Sequence, residues 1–107
     1  MTPKTKRATN HIFNMRRNRR LLQKQLAVLI GHRYTHMISK YEHGLRLPPL
    51  ETALLLEIAL GVRLPDMYPD LYRRLQTMVL KRSRVLPRDV RRGILGRLLG
   101  KDDHDHT

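Results

Sequence analysis

An all-α protein is what this sequence predicts, and three observations lead there. No stretch of five or more residues alternates apolar and polar side chains as a half-buried strand would. Six glycines and six prolines cut the 107 residues into short segments. Within those segments apolar residues recur at three- and four-residue spacing, the period of one helix face. The length suits one domain, and 40% apolar residues is enough for one modest core.

In chain order, residues 1–9 are polar and basic and read as a disordered arm. Asn10 can cap a first helix running to about Arg20, with Ile12 and Met15 inward and Phe13 a third candidate. Gln23 to Ile30 places Leu26, Ala27 and Ile30 on one face, and Gly31 stops it. After the turn His32-Arg33-Tyr34-Thr35, a third helix from about Thr35 to His43 turns Ile38 and Tyr41 inward and ends at Gly44. Leu45 to Pro49 must be a loop, because two consecutive prolines cannot sit inside a helix. Leu50 to Leu60 is apolar almost all round and reads as a central helix ended by Gly61. Pro65 to about Arg84 follows, with a break near Pro69 and a stripe of Leu71, Leu75, Met78 and Val79. Pro87 to Leu99 brings Val90, Ile94 and Leu98 together, weakened by Gly93 and Gly96. The expected organisation is an arm (1–9), a helical domain (10–80) and a C-terminal extension with an acidic, histidine-bearing tail (81–107).

Charge narrows the function. Lys and Arg number 22 against 9 acids, a formal +13 that attracts polyanions. The bases are not spread evenly: residues 1–20 hold seven and no acid, whereas residues 48–80 hold three bases and four acids. Absent cysteines exclude disulfide scaffolds, zinc ribbons and thiol catalysis. No phosphate loop, HExxH or GxSxG is present, so neither an enzyme nor a cofactor is expected. The terminal Asp-Asp-His-Asp-His-Thr lies on an unanchored tail and is not read as a metal site. Without an apolar run long enough to span a bilayer or form a secretory signal, the chain reads as cytoplasmic.

Two short helices joined by a glycine-containing turn, Gln23 to Gly44, have the helix-turn-helix shape, whose second helix lies in the DNA major groove. That use needs a small residue where the helices cross, glycine at the turn and a polar outer face. Ala27, Gly31 and the set Thr35, His36, Ser39, Lys40 and His43 supply them. An ordinary helical hairpin supplies the first two just as well, and any surface helix is polar outside. Next to this segment the run Arg16, Arg17, Arg19, Arg20 becomes a candidate phosphate surface rather than a merely solvated face.

The order of residues is more specific. Ile12, Met15 and Arg16, then Leu22-Gln23, Leu26-Ala27, Gly31, Ile38-Ser39, Glu42 and Gly44, then Pro49, Leu50-Glu51-Thr52 and Ala59-Leu60-Gly61-Val62 run in sequence. On these residues the chain resembles the Cro/phage-repressor type of helix-turn-helix protein over residues 12–62. The resemblance implies a five-helix, lambda-repressor-like DNA-binding domain and a transcriptional regulator. Gln23 would clamp a phosphate; Thr35, His36 and Lys40 would face base edges, and Met37 a thymine methyl. Arg16 and Glu42 would form a buried ion pair. Lys24, Arg33, His43, Arg46, Arg17 and Arg20 complete the expected phosphate contacts. The chain departs from the family in a turn one residue longer, and in Glu57, which stands where a small apolar residue is usual and has an arginine as its candidate partner.

The partners expected are therefore double-stranded DNA and a second copy of the chain, with a protein partner open for the C-terminal extension. Two rivals use the same residues: an antitoxin-like partner-binding module on this fold, and a basic amphipathic membrane-surface binder built on Val90, Ile94 and Leu98 with Arg88, Arg91 and Arg97.

Overall fold

A computed structural model describes residues 9–98. The arm expected over 1–9 falls outside them except for Thr9, and so does the acidic, histidine-bearing tail. The described residues hold seven α-helices and no strand: α1 (Ile12–Asn18), α2 (Gln23–Leu29), α3 (His36–Glu42), α4 (Leu50–Leu60), α5 (Leu64–Met67), α6 (Pro69–Arg82) and α7 (Arg88–Leu98), with a 3-10 turn at Ser83–Val85. The chain divides into two compact units, residues 1–71 and 72–107, the division falling inside α6.

The first unit has a single core. Ile12, Leu26, Ala27, Ile30, Ile38, Tyr41, Leu56, Leu60, Met67 and Tyr68 form one buried cluster, with Met15, Leu21, Met37 and Leu71 packed partly against it. α1, α2 and α3 contribute through one apolar face and α4 through the face that carries Ala53, Leu56 and Leu60; covering these faces is what stabilises helices too short to persist alone. Asn10 accepts the Ile12 amide on its side-chain oxygen and donates to the Tyr41 carbonyl, both at 2.9 Å. It therefore opens α1 and ties that end to α3. Gln25 accepts the Leu22 amide at 2.8 Å, closing the start of α2.

Several expectations need correction. Phe13 is not inward: it is 45% exposed, and the guanidiniums of Arg16 and Arg17 stand 5.3 and 5.4 Å from its ring centre. A ring flanked by cations gains a favourable contact at the surface, which offsets the water it meets. The helix α4 is not enclosed all round. Ala53, Leu56 and Leu60 are buried, but Leu50, Leu54 and Ile58 on the opposite face are 73%, 45% and 76% exposed. Too few elements surround α4 in this unit to cover both faces. The break expected near Pro69 is present, by contrast, and falls at Tyr68: Pro69 lacks the amide that would continue α5 and instead opens α6. Glu57 has a backbone partner rather than an arginine: its carboxylate accepts the Leu64 amide at 3.3 Å, capping α5.

The second unit has no comparable core. Among its described residues, 72–98, the only buried one is Ser83, whose hydroxyl donates to the Leu80 carbonyl at 2.7 Å. On the expected α6 stripe Leu75 and Val79 stay exposed and Met78 half-buried; in α7 Val90 is exposed while Ile94 and Leu98 are half-buried.

Candidate nucleic-acid interface

Everything the sequence singled out for DNA lies in the first unit, and a polar network links the helices that carry it. Arg16 in α1 donates through Nε to Glu42 at 2.5 Å and through Nη2 at 3.3 Å, while Nη1 reaches the Leu21 carbonyl at 2.9 Å. The Arg16 and Glu42 side chains are only 8% and 3% exposed. Gln23, the first residue of α2, donates its amide at 3.0 Å to Glu42 Oε1, the oxygen that also accepts from Arg16 Nη2. One carboxylate at the end of α3 thus receives α1 and α2 together. A bidentate guanidinium suits this position, since it meets a carboxylate along two parallel bonds.

The turn between α2 and α3 is set by Gly31, whose φ of +78° is left-handed and open to glycine at little cost. Thr35 precedes α3 without a side-chain cap bond and is half-buried. His36 and Lys40 are exposed on α3, whereas Met37 lies half-buried against the core and offers only its remaining surface. Lys24, Arg33, Arg46, Arg17 and Arg20 are all exposed. Arg20 holds a φ of +58°, the only non-glycine residue in the left-handed region among those described. Its amide bonds to Arg17 and the next amide to Arg16, so it occupies the helix-end position where glycine is usual.

His43 closes α3 with Nδ1 only 2.7 Å from the Ser39 carbonyl. A carbonyl can only accept, so Nδ1 carries the proton in this contact. Gln23 is likewise partly committed. With one amide hydrogen on Glu42, the second remains for another acceptor. Tyr34 was not anticipated. It is 63% exposed in the turn, and its ring stands 6.2 Å from that of His36. A large aromatic residue in an otherwise polar turn is the one sequence signal that marked it.

With this geometry in place, the comparison with known families is informative. The family model described as helix-turn-helix, of the Cro/C1 type, matches residues 12–67, just over half of the chain. The chain belongs to this family: it is an all-α, phage-repressor-like, DNA-binding helix-turn-helix protein. No curated protein and no solved structure matches it. Among the described residues no helix is long and apolar enough to cross a membrane, and no cluster of His, Asp or Glu is placed to hold a metal ion.

Proposed function

We propose that this protein is a sequence-specific, double-stranded-DNA-binding transcriptional regulator acting in the cytoplasm. The observation that carries the reading is the Arg16–Glu42–Gln23 network. It fixes α3 against α1 and α2 while His36 and Lys40 remain exposed on the same helix. In this reading Thr35, His36, Met37 and Lys40 address base edges. Gln23, Lys24, Arg33, His43, Arg46, Arg17 and Arg20 take phosphates, fixing register without reading sequence.

Two copies would act together through α4. In a chain of net charge +13, residues 48–62 contain no Lys or Arg, and there the apolar row Leu50, Leu54 and Ile58 is exposed. An exposed apolar row marks an interaction surface, and pairing there keeps the basic faces apart.

Selection of bound duplexes from a random DNA pool tests the reading. The expected result is a palindrome with half-sites about one helical turn apart. Recovery of no preferred sequence reduces the protein to a nonspecific binder. Ile58→Lys should turn the dimer into a monomer in analytical ultracentrifugation; a parent chain that is already monomeric removes the α4 pairing.

A further inference from the structure

The second unit is a surface that the DNA reading leaves unused. Among residues 72–98 there are nine Lys or Arg against the single acid Asp89, and all nine except Arg91 are exposed. Among the same residues Tyr72, Leu75, Val79, Val85, Leu86, Val90 and Leu95 are exposed, and no apolar side chain is buried. Two helices whose apolar side chains are at best half-buried have little to hold them together. Two interior glycines, Gly93 and Gly96, weaken α7 further, since glycine loses more backbone freedom on entering a helix than alanine does.

The apolar surface is shaped. The end of α6, the 3-10 turn and α7 form an open groove of about 520 Å³ lined by Leu80, Ser83 and Leu95, with Arg84 and Arg91 on it. A second groove of about 230 Å³ is lined by Val79, Ser83, Leu86 and Ile94 together with Arg82. Each therefore sets an apolar lining beside at least one guanidinium.

We propose that this hairpin is a docking site for an acidic amphipathic helix of a partner protein. Apolar side chains of that helix enter the grooves, and its carboxylates meet Arg82, Arg84 and Arg91. Charge complementarity selects this occupant. A second copy of the hairpin would set nine like charges against nine. DNA phosphates would meet the arginines but leave the grooves in water. An anionic bilayer offers both chemistries, but a flat surface does not fill a groove between helices. This inference is independent of the DNA reading.

The probe is a labelled synthetic helix with leucine at i, i+3, i+4 and i+7 and glutamate elsewhere, titrated into the full chain and followed by fluorescence anisotropy. The control is a scrambled peptide of the same composition that cannot gather its leucines on one face. The acidic helix should bind about tenfold or more tightly than the scramble, and raise protection from hydrogen exchange in α7. Leu95→Asp, and separately Arg84→Glu with Arg91→Glu, should each weaken peptide binding about tenfold while duplex binding stays within about twofold. The arginine pair guards against a Leu95 variant that merely unfolds the hairpin. Equal binding of the scramble overturns the proposal, as does insensitivity to both variants. So does Leu95-dependent binding of phosphatidylglycerol vesicles without peptide binding, or a dimer of the parent chain that Leu95→Asp dissociates. Loss of duplex binding in the parent chain bears on the DNA reading alone.

Discussion

Glu42 carries two attachments at once, so its loss should be felt twice. Glu42→Ala leaves the Arg16 guanidinium buried and uncompensated, at a cost of about 3–5 kcal/mol, and also frees Gln23. Glu51→Ala, on the exposed side of α4, should lower the melting temperature far less; equal shifts would mean that water already screens the pair. Arg20 is the opposite case, a residue whose backbone works against the fold. Removing its left-handed strain through Arg20→Gly should stabilise the protein by about 1 kcal/mol in urea unfolding. The same change should weaken duplex binding, because an exposed cation leaves the phosphate face; undiminished affinity would deny Arg20 that role. Tyr68 carries a third prediction. Its buried hydroxyl lacks a partner among the described residues, and burial first, with the neighbouring Tyr41 second, pushes its pKa from 10.0 to about 12. Its contribution to stability is therefore complete below pH 10 and declines as pH climbs towards 12, since the unfolded chain loses that proton first. Tyr68→Phe should remove this part of the alkaline decline and leave neutral-pH stability unchanged or raised, as read from urea midpoints at pH 7 and pH 11.

At the scale of the helix, position and reading separate. His36 and Lys40 stand outward on α3 while Ile38 and Tyr41 hold it to the core, so His36→Ala and Lys40→Ala should preserve the melting temperature. Each should cost about 1–3 kcal/mol against the preferred duplex and relax preference at one base pair. Gln23→Ala should instead weaken all duplexes alike, since a phosphate carries no sequence information. If both α3 variants bind every duplex as the parent does, that helix is not the reading element. Tyr34 adds a second exposed ring beside His36, at the end of α3 that follows Gly31. The helix α7 sits at the other extreme, with two glycines in its interior and no buried side chain.

For the whole molecule, the arm and the exposed cations of the first unit should dominate affinity. Contact with about six to ten phosphates predicts a log–log salt slope of roughly −5 to −9 for duplex binding. Removing residues 1–9 should reduce that slope without changing the preferred sequence. Binding that is flat from low to physiological salt would leave the basic excess without a role in DNA affinity.

Helix positions were legible in the sequence because glycine and proline act locally. Gly31, Gly44 and Gly61 each take a left-handed φ just after a helix, and Pro69 opens α6, as their chemistry requires. The core residues Ile12, Leu26, Ile38 and Leu60 were legible for the same reason, since helical periodicity is a property of near neighbours. What depends on distant residues was not. Phe13 lies at the surface because two guanidiniums flank its ring, and Leu50, Leu54 and Ile58 are exposed because the first unit has nothing left to cover them. Glu57 caps α5 because the chain returns there seven residues later. Gln23 shares Glu42 with Arg16 because three helices converge on one carboxylate. Local chemistry thus determined where the helices begin and end and which face turns inward. Only tertiary packing decided which polar groups meet and which apolar faces remain open, because both depend on what the rest of the chain can reach.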